Sequence, residues 1–159
     1  MSENIEENNL VHCIYSSAET VEFSHEDIIS LLKKAREVNS NLGVTGMLLY
    51  EDGSFFQVLE GPSETVVPLY EKIGQDKRHE RVTKLIQEPI KERSFSEWTM
   101  GYSGVTREEL KEIEGLNDFF YSNKCFTELD EGRAKKLLEA FKGGKWRASL
   151  WCAPVYHAV

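Results

Sequence analysis

Two side chains stand out because they can move charge and because apolar neighbours frame them. Tyr15 closes the run Leu10-Val11-His12-Cys13-Ile14-Tyr15, and Gln57 lies between Phe56 and Val58. A phenol can give up an electron and then a proton, and does so reversibly only where a relay touches its O–H. An amide suits that relay because it has a donor end and an acceptor end, which turning or tautomerising exchanges. Taken singly, each residue has a plainer explanation. A tyrosine in a strand ordinarily packs in a core, whereas a glutamine among apolar residues is less ordinary, since a buried amide needs partners. Asn39 alone reads as a helix terminator. Arg78-His79 reads as a solvated helix end of favourable charge, and Trp98 and Met100 as a packing pair on one strand face.

Other chemistries find less support. There is no Gly-rich phosphate cradle, nicotinamide fingerprint, Ser-His-Asp arrangement or pair of carboxylates on a common motif. Cys13, Cys125 and Cys152 are widely spaced and odd in number, which argues against a disulfide framework or a Cys-x-x-Cys metal knuckle. His12, His25 and His157 are scattered, so no metal site is expected. A net charge of −8 sets the overall field against nucleic acid. No apolar run approaches the roughly 20 residues of a membrane helix. The acidic N-terminus lacks the positive charge of a targeting peptide, so residues 1–8 are expected to be a disordered lead-in and the location cytoplasmic.

The elements that must position these side chains follow from periodicity. Residues 10–15 predict a strand, and Ser24 with Asp27 a capped helix continuing through Ile28, Leu31, Leu32 and Ala35 to about Asn39. Residues 44–50 and 54–60 predict a hairpin, because Asp52-Gly53 tolerates the positive φ that such turns need. A second helix is expected with Thr65 as its cap, so that Pro68 still falls in the first turn. Strands are expected over 82–89 and 97–103, and short helices over 106–116 and 131–141, the last stopped by Gly143-Gly144. Trp146 and Trp151 are expected to cover those helices. This order predicts an α+β, ferredoxin-like sandwich (βαββαββ), a five-stranded mixed sheet with two helices on one face.

Five stretches, in order, resemble the BLUF family (blue light using flavin): His12 to Ser16, Asn39 to Gly46, Phe55-Phe56-Gln57-Val58-Leu59-Glu60-Gly61, Asp76-Lys77-Arg78-His79, and Phe95 to Met100 with its Trp98. The third is the most specific. The resemblance covers roughly residues 9–103 and implies a flavin-binding domain there, with 104–159 as a helical extension packed on it. It implies Tyr15 as the photoactive tyrosine, Gln57 as the switching glutamine and Asn39 as the clamp on the flavin's pyrimidine edge. It further implies Arg78 and His79 near the ribityl-phosphate tail, and Trp98 and Met100 as the pair that responds to Gln57. Ala35 and Val38, polar in some relatives, are apolar here.

Physical chemistry agrees with that implication. A flavin ring needs aliphatic walls and a few placed amides, and Ile28, Leu31, Leu32 and Ile73 are suited to be walls. The resemblance implies FAD, although a site gripping mainly the ring and first phosphate could accept FMN. The expected function is light sensing without enzymatic activity. A new donor bond from Gln57 to the flavin would give a red-shifted state, which alters binding of a separate effector protein through the tail. A homo-oligomer is compatible with the sequence. The alternatives are a light-independent flavin redox enzyme and a cofactor-free descendant of the fold.

Overall fold

The computed structural model describes residues 9–96 and 99–142. Residues 1–8, Glu97, Trp98, the Gly143-Gly144 stop, Trp146 and Trp151 lie outside them. The elements are β1 (Leu10–Glu19), α1 (His25–Leu42), β2 (Thr45–Glu51), β3 (Ser54–Pro62), α2 (Ser63–Gly74), β4 (His79–Pro89) and β5 (Gly101–Ser103). A tail follows, of α3 (Arg107–Lys111), α4 (Asn117–Tyr121), a 3-10 turn (Phe126–Glu128) and α5 (Glu131–Lys142). The sheet order is β4-β1-β3-β2-β5. Only the β2–β5 pair is parallel, so the sheet is mixed and the ferredoxin-like α+β sandwich stands.

Local chemistry accounts for the elements and for the places where they depart from expectation. Ser24 and Asp27 form a reciprocal capping box at the start of α1. The helix does not stop at Asn39 but runs to Leu42, ending on Gly43 in the left-handed conformation at φ 71°. Asn39 is therefore a buried residue within α1, and its amide is engaged outside the helix. The hairpin turn is as expected, with Asp52 and Gly53 at φ 48° and 79°. Helix α2 begins at Ser63, two residues before the predicted cap, which moves Pro68 beyond the first turn. Pro68 and Glu64 are both exposed, so the carbonyl that loses its helical partner can bond water.

Strand β4 starts earlier than predicted, because Glu19 pairs with His79 and the Thr20 N–H reaches the Arg78 carbonyl. Strand β5 is shorter. Asn39 and Arg36 of α1 take the Thr99 and Met100 carbonyls, which removes those residues from the ladder. The helix predicted over 106–116 is also broken, since Gly115 is left-handed at φ 88°.

Each face of the sheet carries its own core. Helices α1 and α2 cover Val11, Cys13, Tyr15, Leu48 and Leu59 on one face. The tail covers Ile14, Met47, Leu49, Phe56 and Val58 on the other, with Phe126 meeting Phe56 at 5.8 Å and Phe120 at 6.3 Å between ring centroids. Arg107 binds Glu51 through two nitrogens and the Lys124 carbonyl at 2.6 Å, fastening the tail to the hairpin. Burial raises the Glu51 carboxyl above its ordinary range, and Arg107 opposes that rise.

Truncating the fully buried ring of Phe126 removes contacts on both sides of the tail–sheet boundary. Phe126→Ala is expected to lower stability by about 3–5 kcal/mol. Chemical denaturation checks this, and a loss below about 1 kcal/mol would mean that the tail does not share the sheet's core.

Candidate flavin site

The strand register, more than any loop, assembles the site. Tyr15 on β1 is the direct partner of Gln57 on β3, and Gln57 is in turn opposite Leu48 on β2. Lys84 on β4 and Tyr102 on β5 complete the same row across the sheet. Above the row, between α1 and α2, lies a cavity of about 410 Å³.

Tyr15 is buried, and its O–H donates to Gln57 Oε1. The amide's other end donates from Nε2 to the Met100 sulfur at 3.5 Å. That bond fixes which way the amide points: its acceptor faces the phenol and its donor faces β5. Burial pushes the Tyr15 phenol far above its ordinary range, with smaller contributions from Cys13, Tyr70 and Asp76. The shift favours the protonated phenol in the resting site. The Tyr70 ring lies edge-on at 5.3 Å and the His79 ring at 6.5 Å.

The other predicted residues fall unevenly. Leu31, Leu32 and Ile73 line the cavity, as do Ala35 and Val38, whereas Ile28 packs in the adjoining core without lining it. Asn39 lines the cavity and donates from Nδ2 to the Thr99 carbonyl at 2.7 Å, keeping a second N–H and an oxygen in its amide. Met100 is buried at the cavity wall, while Trp98 lies outside the described residues.

Both ring nitrogens of His79 are already engaged. Nε2 donates to the Ile73 carbonyl at 2.7 Å, so Nδ1 of the neutral ring accepts from the Ser17 hydroxyl at 2.8 Å. His79 borders the cavity at the start of β4, not at a helix end. Arg78 borders it with its guanidinium held by Asp76 at 2.7 and 3.0 Å and seated over Phe23 at 5.9 Å. The bond from Arg78 holds the Asp76 carboxyl down at about 2.

Sequence reasoning missed Phe23 and Phe55, which meet edge-on at 5.3 Å, and the lysines Lys34 and Lys72. Phe55 was detectable, since it shares the strand face of Gln57 two positions on. Phe23 and the lysines carry no such signal. The donor set suits a flavin: aliphatic and aromatic walls for the ring faces, Asn39 and Gln57 amides for a polar edge, and Lys34, Lys72 and Arg78 for phosphate.

This geometry defines a ferredoxin-like domain with a cavity between two helices beside a buried phenol–amide pair. The chain belongs to the BLUF family, described as sensors of blue light using FAD, whose sequence pattern matches residues 10–101. It is 37% identical over 126 residues to photoactivated adenylate cyclase subunit beta of Euglena longa, a match covering 78% of this chain and 14% of the cyclase. The structure resembles BlsA in its ground state with a TM-score of 0.71 at 31% identity, covering 84% of this chain and 87% of BlsA. It also resembles BlrB, a BLUF protein in its dark state, with a TM-score of 0.67 at 28% identity, covering 86% and 98%.

The Asp76–Arg78 contact sets a pH window for the outer end of the cavity. Asp76 is depressed, so the contact is complete above about pH 4, the ordinary carboxylate value, and is lost as pH falls through about 2. A carboxyl-carbon NMR titration is expected to place the Asp76 midpoint near 2. A midpoint close to 3.8, the ordinary value, would mean that the pair does not persist in solution.

Proposed function

We propose that this chain senses blue light through a Tyr15–Gln57 relay beside a bound flavin, and that the relay's state is passed through Met100 to the tail. The observation that carries the reading is the continuous chain of bonds from the Tyr15 O–H to Gln57 Oε1 and from Gln57 Nε2 to the Met100 sulfur.

Bound flavin supplies a one-electron oxidant when it absorbs blue light. Every other part belongs to the protein. Tyr15 is the donor, and the bond it already makes prepares the proton's departure. When the phenol loses an electron its acidity rises steeply, and the proton passes along that bond to Gln57 Oε1. Gln57 Oε1 takes up that proton while Nε2 would release one toward the bound flavin, where the electron would reside, so the side chain stays neutral. Turning or tautomerising the amide exchanges its ends and withdraws the donor from Met100. On return, Tyr15 regains its electron and its proton together, so the original pattern is restored without a consumed substrate. Buried polar groups have discrete partners, so the relay has two arrangements and not a continuum.

Asn39 is assigned to hold the polar edge of the ring, and Leu31, Leu32 and Ile73 its faces. Lys34, Lys72 and Arg78 are assigned to phosphate, with His79 acting as a packing wall. FAD is preferred to FMN because the family description names it; mass spectrometry of released flavin decides. The sensor passes its state to an effector that we assign to a separate protein. Residues 9–103 are assigned to sensing and the helical tail to output. The buried Tyr15–Gln57 pair beside the cavity favours a sensor over a light-independent flavin enzyme.

Gln57→Leu removes both ends of the relay while keeping an apolar side chain. It is expected to retain bound flavin and to abolish the reversible red shift under blue light, as is Tyr15→Phe. Absorption difference spectra check this, and a normal shift in either variant would remove the residue from the relay. Asn39→Ala is expected to weaken flavin binding about tenfold, the effect of one lost hydrogen bond.

A further inference from the structure

One acid near the cavity's rim has no part in the relay, and it holds a loop. Glu19 ends β1 beside the hairpin turn, with its N–H bonded to the Gly53 carbonyl at 2.9 Å. Its carboxyl lies against the same turn, since a Cβ on Gly53 would sit 2.9 Å from Oε2. Oε1 accepts two bonds, from the Tyr50 hydroxyl at 2.7 Å and from the Phe23 N–H at 3.2 Å. Burial first, and then the bond to Glu19, raise the Tyr50 phenol above its ordinary range, which keeps that hydroxyl the donor.

The loop is the stretch 20–24, which is neither helix nor strand. Its near end is tied across to the turn before β4, because the Thr20 N–H and hydroxyl donate to the Arg78 and Lys77 carbonyls at 2.8 and 2.7 Å. Its far end is Ser24, the cap of α1. Between them Val21 and Glu22 are exposed, whereas Phe23 turns inward to border the cavity. The Phe23 ring meets Phe55 edge-on at 5.3 Å, and Phe55 packs on Tyr50 at 4.9 Å. One carboxyl thus grips both the backbone of Phe23 and the phenol that backs Phe55.

The sheet is the floor of the cavity and α1 and α2 are its sides, while Phe23 and Arg78 meet at its outer end. We propose that Glu19 is a positioning residue for flavin binding: by fixing the backbone of Phe23 it keeps that ring across the ligand's way out and slows release. The inference rests on the reading of the cavity as a flavin site. A short loop with exposed neighbours opens at low free energy unless its middle is tied, and Glu19 supplies that tie. Changes at one binding surface act mostly on the rate of release, so that rate is where the effect falls.

Release of FAD from the loaded full chain into an excess of a flavin-binding trap protein measures it. Glu19→Ala is expected to release FAD about tenfold faster, the effect of one lost hydrogen bond. Glu19→Gln keeps an oxygen acceptor for both donors and is expected to recover most of the original slowness. Phe23→Ala is expected to release at least as fast as Glu19→Ala. Adding Glu19→Ala to it is expected to bring no further acceleration, because the acid acts through the ring.

An acid with a merely structural role would accelerate release equally in both backgrounds. That additive result, or release from Glu19→Ala at the unmodified rate, overturns the proposal and leaves the flavin site standing. An unmodified chain that retains no FAD overturns both. Should Glu19→Ala fail to fold, amide hydrogen exchange at Phe23 in the unmodified chain decides. Several-fold slower exchange with FAD bound than without it is the expected result, and equal exchange overturns the proposal.

Discussion

The hydrogen bond between Tyr15 and Gln57 is a constraint on the whole sheet as well as a feature of one site. A buried phenol and a buried amide each cost free energy unless they meet a partner, and here they satisfy one another as direct cross-strand neighbours. A one-residue slip of β1 against β3 would turn one of them to the tail face and leave the other unpaired. The hairpin turn fixes β2 against β3, and Gly46 holds that pairing close. A Cβ at Gly46 would lie 2.0 Å from the Val58 carbonyl oxygen, so no other residue fits without moving β2. Register, turn and polar pairing thus support a single arrangement.

The two faces of the sheet solve opposite packing problems. On the tail face, Phe56, Phe120 and Phe126 are fully buried in one continuous core. On the other face, α1 and α2 are held apart by a cavity whose walls include Leu31, Ile73 and Phe55. An apolar cavity of that size forgoes dispersion contacts that a bound ring would restore. Ligand binding to the folded chain alone stabilises it by mass action. Gln57 stands at the boundary, with its chain neighbours Phe56 and Val58 in the filled core.

Much of this was legible in the sequence, and the reasons for success and failure are physical. Alternation along Leu10 to Tyr15 and Phe55 to Glu60, with Asp52-Gly53 between β2 and β3, carries the sheet, because those signals are local. The shared face of Tyr15 and Gln57 needs only strand parity once the register is known. The end of α1 was misjudged because Asn39 is a poor helix former by propensity. Its bond to Thr99, 60 positions away, cannot be read locally. Pro68 likewise suggested a late start for α2, although an exposed position tolerates it. The Phe23 wall, the Asp76 partner of Arg78 and the engaged nitrogens of His79 all depend on contacts between elements, for which a single sequence carries no periodic signal.

Asn39 joins the two halves of the molecule's behaviour. The resemblance assigns it to the flavin's polar edge, and the structure gives one of its N–H groups to the Thr99 carbonyl. An amide has capacity for both, so the duties are compatible. They are also coupled, since one rigid group must satisfy two partners in a single orientation. A ligand that fixes the Asn39 amide also fixes Thr99, next in the chain to the Met100 that touches Gln57. Occupancy of the cavity and order in the segment before β5 are then linked, and the linkage is reciprocal. Loosening that segment weakens the grip on the ligand, and filling the cavity stiffens the segment. For the output proposed through Met100 that stiffness matters, because a relay that moves a single hydrogen bond can displace only a segment already held in one place.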